Sequence, residues 1–302
     1  MAKITASDFE IIGENYIDRP IYTDKKRGLK EVLHGKPIIS IIILTLIILG
    51  CIFLGNIDTS TTSLYYLDHL NEAPNSQFYF GTDSLGRDIY AMIWCGGRAS
   101  ITIGLLSMVI ITVIGVTYGC ISGTAPKKID IILMRICELG NSIPTLLIIL
   151  ILVSLMGTQN VIKISIVIGV TGWFGLARIV RSEVRQIRNS DYILAAKCMG
   201  VNFRKLMLRH LIPNFVSSIM FVVVSSISTS ISMESTLSFL GLGLPVEIVS
   251  WGSMLSLANK ALLMNTWWVI VIPGLFLVVT LSCITNIGNY LRKEINRGDN
   301  NL

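Results

Sequence analysis

The sequence predicts an all-α integral membrane protein with six transmembrane helices. Only 15% of the 302 residues are charged, against roughly 25% in average globular proteins. Asp, Glu, Lys and Arg are absent from four long runs: 99–126, 139–162, 210–233 and 261–291. A helix needs about 20 mostly apolar residues to cross a bilayer, whereas buried helices of a soluble core give shorter runs. Each of these runs is therefore long enough to contain a membrane span.

Apolar periodicity and the positions of the flanking charges divide the chain into helices. The predicted spans are 37–56, 99–122, 129–157, 161–181, 214–236 and 266–291. The first follows a polar lead of 36 residues, too long for a cleavable signal peptide. The fourth has only 14 residues between Lys163 and Arg178, about 21 Å of helix. Both side chains would therefore have to extend toward opposite interfaces.

The basic residues predict the orientation of these spans, because Lys and Arg concentrate in cytoplasmic loops. With the N-terminus inside, 21 of them lie in the cytoplasm and four outside, namely Arg87, Arg98, Lys163 and Lys260. Both termini are then cytoplasmic, and the net charge of +6 reflects topology and not nucleic-acid binding. The predicted segments are a cytoplasmic 1–36, a first span with an extracellular segment (37–98), a core of five spans (99–295) with a cytoplasmic loop (182–213), and a cytoplasmic tail (296–302).

The sequence lacks the usual signatures of catalysis and metal binding. The six cysteines are dispersed without a C-x-x-C pair, so we expect neither disulfides nor a zinc site. Gly35-Lys36 is followed by Pro37, which excludes a P-loop there, and no H-E-x-x-H or G-x-S-x-G occurs. Energy must then come from an ion gradient or a partner. Ion-coupled carriers usually bury carboxylates within their spans, and their absence mid-span here favours a partner.

Three glycines predict a packing face on the second span. Gly115, Gly119 and Gly123 are spaced by four and share one side of the helix. Glycines at this spacing let two helix backbones approach closely within a bilayer. The pattern indicates helix packing and carries no information about a substrate.

Charges and a proline mark the start of the third span. Asp130, Arg135 and Glu138 fall in its first turns, and residues three apart on a helix can form an ion pair. We therefore expect a structural Arg135–Glu138 pair in preference to a transport role. Pro144 should kink the helix, because proline has no backbone N–H.

A stripe of hydroxyl groups follows one face of the fifth span. It comprises Ser225, Ser228, Thr229 and Ser232, and Glu234 comes at its end. These hydroxyls would either form interhelical hydrogen bonds or line a wet pathway. An ionisable group in a span suggests function, although Glu234 would also serve to cap the following turn. All five are candidates for a translocation path.

A polar insert at 190–214 interrupts the apolar pattern between the fourth and fifth spans. Ser190 or Asp191 can cap a short helix, one face of which carries Tyr192, Ala195, Ala196 and Met199. Gly200 permits a turn into a second, basic helix, and Pro213 suits the first turn of the next span. The physical pattern leaves two alternatives open: the insert lies on the lipid surface, or it docks into a partner's groove.

The insert resembles the cytoplasmic "EAA" loop of ATP-binding-cassette importer permeases. Ala195-Ala196, Gly200 four positions later and Pro213 thirteen beyond that match the loop, although Leu194 stands at the family's glutamate position. Four further segments match the peptide and nickel branch in order: "FGTDSLGRDI" (80–89), "ESTLSFLGLGLP" (234–245), "WGSML" (251–255) and "PG" (273–274). The chain thus resembles a "C"-type permease of dipeptide, oligopeptide and nickel transporters over residues 37–295.

The resemblance implies a type I importer permease fold and assembly with other subunits. It implies a homologous "B"-type permease, two ATPase subunits that bind ATP and Mg, and an extracellular substrate-binding lipoprotein or periplasmic protein. The coupling helix that docks on an ATPase would then comprise Asp191, Tyr192, Ala195, Ala196, Met199 and Gly200, with Pro213 closing the loop. Peptide is the expected cargo and nickel or a metal chelate the alternative. The expected location is the cytoplasmic membrane of a prokaryote. A stand-alone secondary carrier is the rival from another class.

Overall fold

The computed structural model describes residues 37–57, 65–188, 212–245 and 247–299. These residues belong to one compact unit and form helices without a β-strand among them. The helices are α1 (Ile38–Ile57), α2 (Ile89–Thr124), α3 (Lys127–Ser142), α4 (Thr145–Leu155), α5 (Val161–Gly172), α6 (Phe174–Ile187), α7 (Ile212–Phe239), α8 (Trp251–Leu255), α9 (Ala258–Leu263) and α10 (Trp268–Asp299).

Four of these helices are long and apolar enough to cross a membrane by themselves. They are α1, α2, α7 and α10, while the bent pairs α3–α4 and α5–α6 raise the number to six if each pair is one span. The six candidates lie at the six positions predicted from sequence. The predicted all-α membrane fold is therefore confirmed.

The third predicted span is broken more sharply than a kink. α3 and α4 meet at 83°, where Ile143 is extended (φ −90°, ψ 132°) and Pro144 precedes α4. A residue before proline avoids the helical region, and proline donates no backbone hydrogen bond. The predicted kink at Pro144 is confirmed in position, but it is a break of 83° between two separate helices.

Several helix ends differ from the predicted segment boundaries. α2 starts at Ile89 and not at 99, because the Asp88 side chain accepts a hydrogen bond from the Tyr90 N–H and caps the helix. α6 extends to Ile187, inside the predicted loop, and α10 extends to Asp299, inside the predicted tail. The helices continue past the charged residues that bounded the apolar runs, such as Arg98 in α2 and Arg292 in α10.

α2 is the central helix and packs against α1, α5, α6 and α7. Its Gly115, Gly119 and Gly123 are buried and face α6. A methyl group added at Gly119 would lie 2.6 Å from Val180 Cβ and 2.7 Å from the Ala177 carbonyl oxygen. The glycines thus permit an approach that any side chain would prevent.

Residues 65–88, which precede α2, are folded and attached to α10. Asp83 and Arg87 form a buried ion pair, with Arg87 Nη2 at 2.8 Å from Asp83 Oδ2. Trp268 Nε1, at the start of α10, donates to the Thr82 carbonyl at 3.1 Å. These contacts involve the "GTDSLGRD" residues recognised in the sequence, and they fix the entry into α2.

Candidate functional site

A cavity of about 400 Å³ lies between α2, α4, α5, α6 and α7. Its wall is mainly aliphatic, and α7 contributes a row of polar groups. The described lining residues are Ile111, Thr145, Ile149, Ile168, Gly172, Gly175, Leu176, Ile179, Val222, Ser225, Ser226, Thr229, Ser230 and Met233. The polar groups are hydroxyls, so this wall is weakly polar and uncharged.

The cavity hydroxyls differ in whether their hydrogen bonds are satisfied. Ser226 Oγ donates to the Val223 carbonyl at 2.7 Å and Thr229 Oγ1 to the Ser226 carbonyl at 3.0 Å, both within α7. The buried Oγ atoms of Ser225 and Ser230 have no hydrogen-bond partner among the described residues. Ser225 Oγ lies toward α10, where a methyl group added at Gly288 would be 3.4 Å from it.

The sequence-predicted hydroxyl stripe is only partly in this wall. Ser225 and Thr229 line the cavity, whereas Ser228 is half-buried without a hydrogen-bond partner among the described residues, and Ser232 is exposed. Ser226 and Ser230 were missed, although they lie three or four residues from lining positions on α7. The predicted face is thus displaced by about one residue around the helix from the cavity wall.

Glu234 lies in a separate cluster of serines and does not line the cavity. It is fully buried, and its Oε1 accepts hydrogen bonds from Ser238 Oγ (2.8 Å) and Ser250 Oγ (2.7 Å). Its Oε2 lies 3.3 Å from Ser100 Oγ on α2. Because Ser250 also caps α8, Glu234 joins α7, α2 and the start of α8. These contacts favour a structural role, and its role in a path stays a prediction.

A second polar cluster lies where α2 ends, α3 begins and α6 ends. The Asp130 carboxylate is 1% exposed and accepts hydrogen bonds from Nε and Nη2 of Arg181. Arg185 Nη2 approaches the same carboxylate at 2.6 Å, and Ser122 Oγ donates to it at 2.6 Å. We call Ser122, Asp130, Arg181 and Arg185 the Asp130 cluster. This cluster connects α2, α3 and α6 through the buried carboxylate of Asp130.

The neighbouring Arg188 adds to this attachment. Its Nη1 donates to the Gly123 carbonyl at 2.9 Å, at the end of α2. α6 is thereby held to α2 and α3 along its last two turns, immediately before the insert 190–214. Sequence reasoning missed these contacts, because 51 residues separate Asp130 from Arg181. It predicted instead the exposed Arg135–Glu138 pair, which forms at 2.7 Å.

The predicted coupling residues lie mostly outside the described residues. Asp191, Tyr192, Ala195, Ala196, Met199 and Gly200 all fall in 189–211. Pro213 is the second residue of α7, in the first turn where proline's missing N–H has no cost. The docking role of this segment stays a prediction.

Comparison with known proteins connects these features to a family. Residues 115–297 match the model of the binding-protein-dependent transport system inner membrane component family. The chain belongs to this family. The match includes the insert 190–214, the Asp130 cluster and all the cavity-lining residues except Ile111, whereas everything before residue 115 lies outside it. The protein is accordingly a multi-pass component of a membrane transport system.

Curated relatives extend the family match over most of the chain. The oligopeptide transport system permease protein OppC of Bacillus subtilis is 36% identical over 260 residues, covering 85% of this chain and 84% of the relative. The dipeptide transport system permease protein DppC of the same organism is 36% identical over 229 residues (76% and 71%). OppC of Escherichia coli K12 is 33% identical over 284 residues (93% and 92%).

Proposed function

We propose that this chain is a "C"-type permease subunit of an ATP-binding-cassette importer that takes up peptides across the cytoplasmic membrane of a prokaryote. The observation that carries the proposal is the similarity to relatives named for oligopeptide and dipeptide transport, which covers most of both chains. The 21-to-4 distribution of basic residues supports cytoplasmic termini and a cytoplasmic insert.

The cavity has the chemistry that peptide passage requires. A peptide backbone presents N–H donors and carbonyl acceptors whatever its sequence, and a serine hydroxyl both donates and accepts. The serine and threonine residues with which α7 lines the cavity would therefore suit the backbone of any peptide. The aliphatic remainder of the wall suits varied side chains without selecting one. In the assembled transporter this wall would form half of the pathway, and the "B"-type permease the other half.

The energy would come from separate subunits. Two ATPases would bind ATP and Mg, a substrate-binding protein would deliver the peptide, and this chain would contribute no catalytic group. The insert 190–214 would dock in a groove of one ATPase. Since the Asp130 cluster fixes the end of α6 to α2 and α3, displacement of the insert would move these helices together. Alternating access then requires that inward- and outward-open states both exist without nucleotide.

The docking hypothesis predicts that Ala196→Glu uncouples ATP hydrolysis from uptake. A charged, bulky side chain beside Ala195 should block close approach of the ATPase, while the chain should still insert into the membrane. The control is Lys197→Ala, a position off the face predicted from sequence, and it should retain coupling. The measurement is peptide uptake per ATP hydrolysed in membrane vesicles. Normal coupling in an assembled Ala196→Glu transporter would contradict docking through this face.

Cargo is tested by uptake in cells that lack this chain. We expect accumulation of a radiolabelled tripeptide to fall to background and to return when the chain is supplied, while nickel uptake stays unchanged. Loss of nickel uptake with normal tripeptide uptake would contradict peptide transport. Identification of the ligand that co-purifies with the cognate binding protein provides an independent measurement.

A further inference from the structure

An open, basic depression of about 300 Å³ lies beside the Asp130 cluster, outside the cavity. The described residues that line it are Ala125, Lys127, Arg185 and Arg188. They come from the α2–α3 connection, the first turn of α3 and the end of α6. Three cations from two different helices therefore converge on one concave surface.

The positive charge of this depression is not neutralised by the described residues. Asp130 is the neighbouring carboxylate, and it is shared between Arg181 and Arg185. Arg188 donates to the neutral Gly123 and Ala125 carbonyls, which fix its guanidinium without cancelling its charge. No ion pair among the described residues includes Lys127 or Arg188. The depression thus retains an excess of positive charge.

Arg185 also presents an unused donor. Its Nη2 is held by Asp130 at 2.6 Å, while its Nε is buried and has no hydrogen-bond partner among the described residues. A buried N–H on a charged group without an acceptor is costly. An anion in the depression would balance the charge of Lys127 and Arg188.

The surroundings indicate an anion with an apolar tail. Ile121 lies one helical turn before Ala125 on the same face of α2 and is 43% exposed. On α3, Ile129, Ile132 and Ile136 share one exposed face, and Arg135 and Glu138 lie on another, where Ile131 is also exposed. Helices of this kind lie at the membrane interface, and basic pockets between spans on the cytoplasmic side bind lipid headgroups.

We propose that this depression binds the headgroup phosphate of an anionic phospholipid. The phosphate lies among Lys127, Arg185 and Arg188, and an acyl chain lies along the exposed Ile121 of α2. Such a lipid would brace the junction of α2, α3 and α6 at the start of the insert 190–214. The proposal uses the orientation given under the proposed function, but its binding chemistry is independent of the cargo.

Native mass spectrometry of the purified full-length chain in detergent tests this site with phosphatidylglycerol, and with phosphatidylcholine as the neutral comparison. We expect tighter binding of phosphatidylglycerol, weakened about 5-fold by Lys127→Ala, since one basic residue near a membrane surface contributes about that factor. Lys127 is exposed, so the variant should fold normally. Lys128→Ala, which removes the adjacent exposed charge outside the depression, should leave affinity unchanged, and Lys127→Arg should restore it.

Three results would overturn the proposal. Equal retention of the two lipids would show that acyl chains alone determine binding. An equal loss with Lys127→Ala and Lys128→Ala would show general surface attraction without a site. Complete displacement of phosphatidylglycerol by soluble glycerol 3-phosphate at equal concentration would show a site for free phosphate esters. Each result is readable without peptide transport, so it separates this proposal from the proposed function.

Discussion

The Asp130 cluster should stabilise the helix bundle far more than the exposed ion pair on the same helix. The perturbation is Asp130→Asn, which keeps the side-chain shape and removes the charge. It weakens the acceptor for Arg181, Arg185 and Ser122 together. The matched control is Glu138→Gln, which removes one carboxylate charge from the exposed pair with Arg135.

The magnitude follows from the burial of each group. Removing one member of a buried ion pair costs about 3–5 kcal/mol. The Asp130 side chain is 2% exposed, but Arg181 and Arg185 are 26% and 38% exposed, so water partly solvates them after the change. We therefore expect a loss of about 2–4 kcal/mol in unfolding free energy. Since Arg135 and Glu138 are 75% and 53% exposed, Glu138→Gln should cost about 0–1 kcal/mol.

The assay is unfolding of the purified chain in mixed micelles with increasing sodium dodecyl sulfate, followed by tryptophan fluorescence. Asp130→Asn should unfold at a clearly lower fraction of sodium dodecyl sulfate than the wild type. Glu138→Gln should unfold at nearly the same fraction as the wild type. Identical unfolding transitions for the two variants would refute the reasoning that its burial makes the Asp130 cluster important for stability. In the assembled transporter, Asp130→Asn should also lower peptide uptake per ATP, because the end of α6 is less firmly attached.

Three further predictions concern packing, the cavity and the Glu234 cluster. Gly119→Ala should cost about 1–3 kcal/mol in unfolding free energy through overpacking against α6, whereas Gly175→Ala, whose added methyl group meets nothing within 4 Å, should not destabilise; equal transitions in mixed micelles would contradict close α2–α6 packing. Ser225→Leu should reduce peptide uptake more than assembly because it fills the cavity, and Ser154→Leu on exposed α4 surface should change neither; parallel loss of uptake and assembly would favour the packing interpretation of the hydroxyl stripe. Glu234→Ala should cost about 2–4 kcal/mol, because serine hydroxyls lose their acceptor, and should increase hydrogen exchange at α8; unchanged exchange there would contradict a fastening role.

The sequence predicted the membrane spans well because their signal is local. Each span requires an uncharged run of sufficient length, and such a run is visible without knowing its neighbours. The break at Pro144 was placed correctly for the same reason, although its 83° angle depends on packing. The glycines on α2 were also visible in the sequence as a periodic pattern. The sequence did not show that they face α6.

The candidate sites were harder to predict because they depend on pairing between distant segments. Asp130 gave no sequence signal that connected it to Arg181 and Arg185, since each charge lies on a different helix. Ser226 and Ser230 were missed because hydroxyl periodicity gives a face of α7 but not its rotation relative to α2 and α5. From sequence, Glu234 resembled a pathway residue, because its contacts with Ser100 and Ser250 are formed only by tertiary packing.

Transport by purified components tests the central claim most directly. Proteoliposomes would contain this chain, its "B"-type partner and the two ATPases, with ATP inside and the binding protein loaded with labelled tripeptide outside. The account predicts tripeptide accumulation that requires ATP and all subunits, and none from this chain alone under a proton or sodium gradient. Accumulation by this chain alone under an ion gradient, unaffected by ATP, would contradict the account.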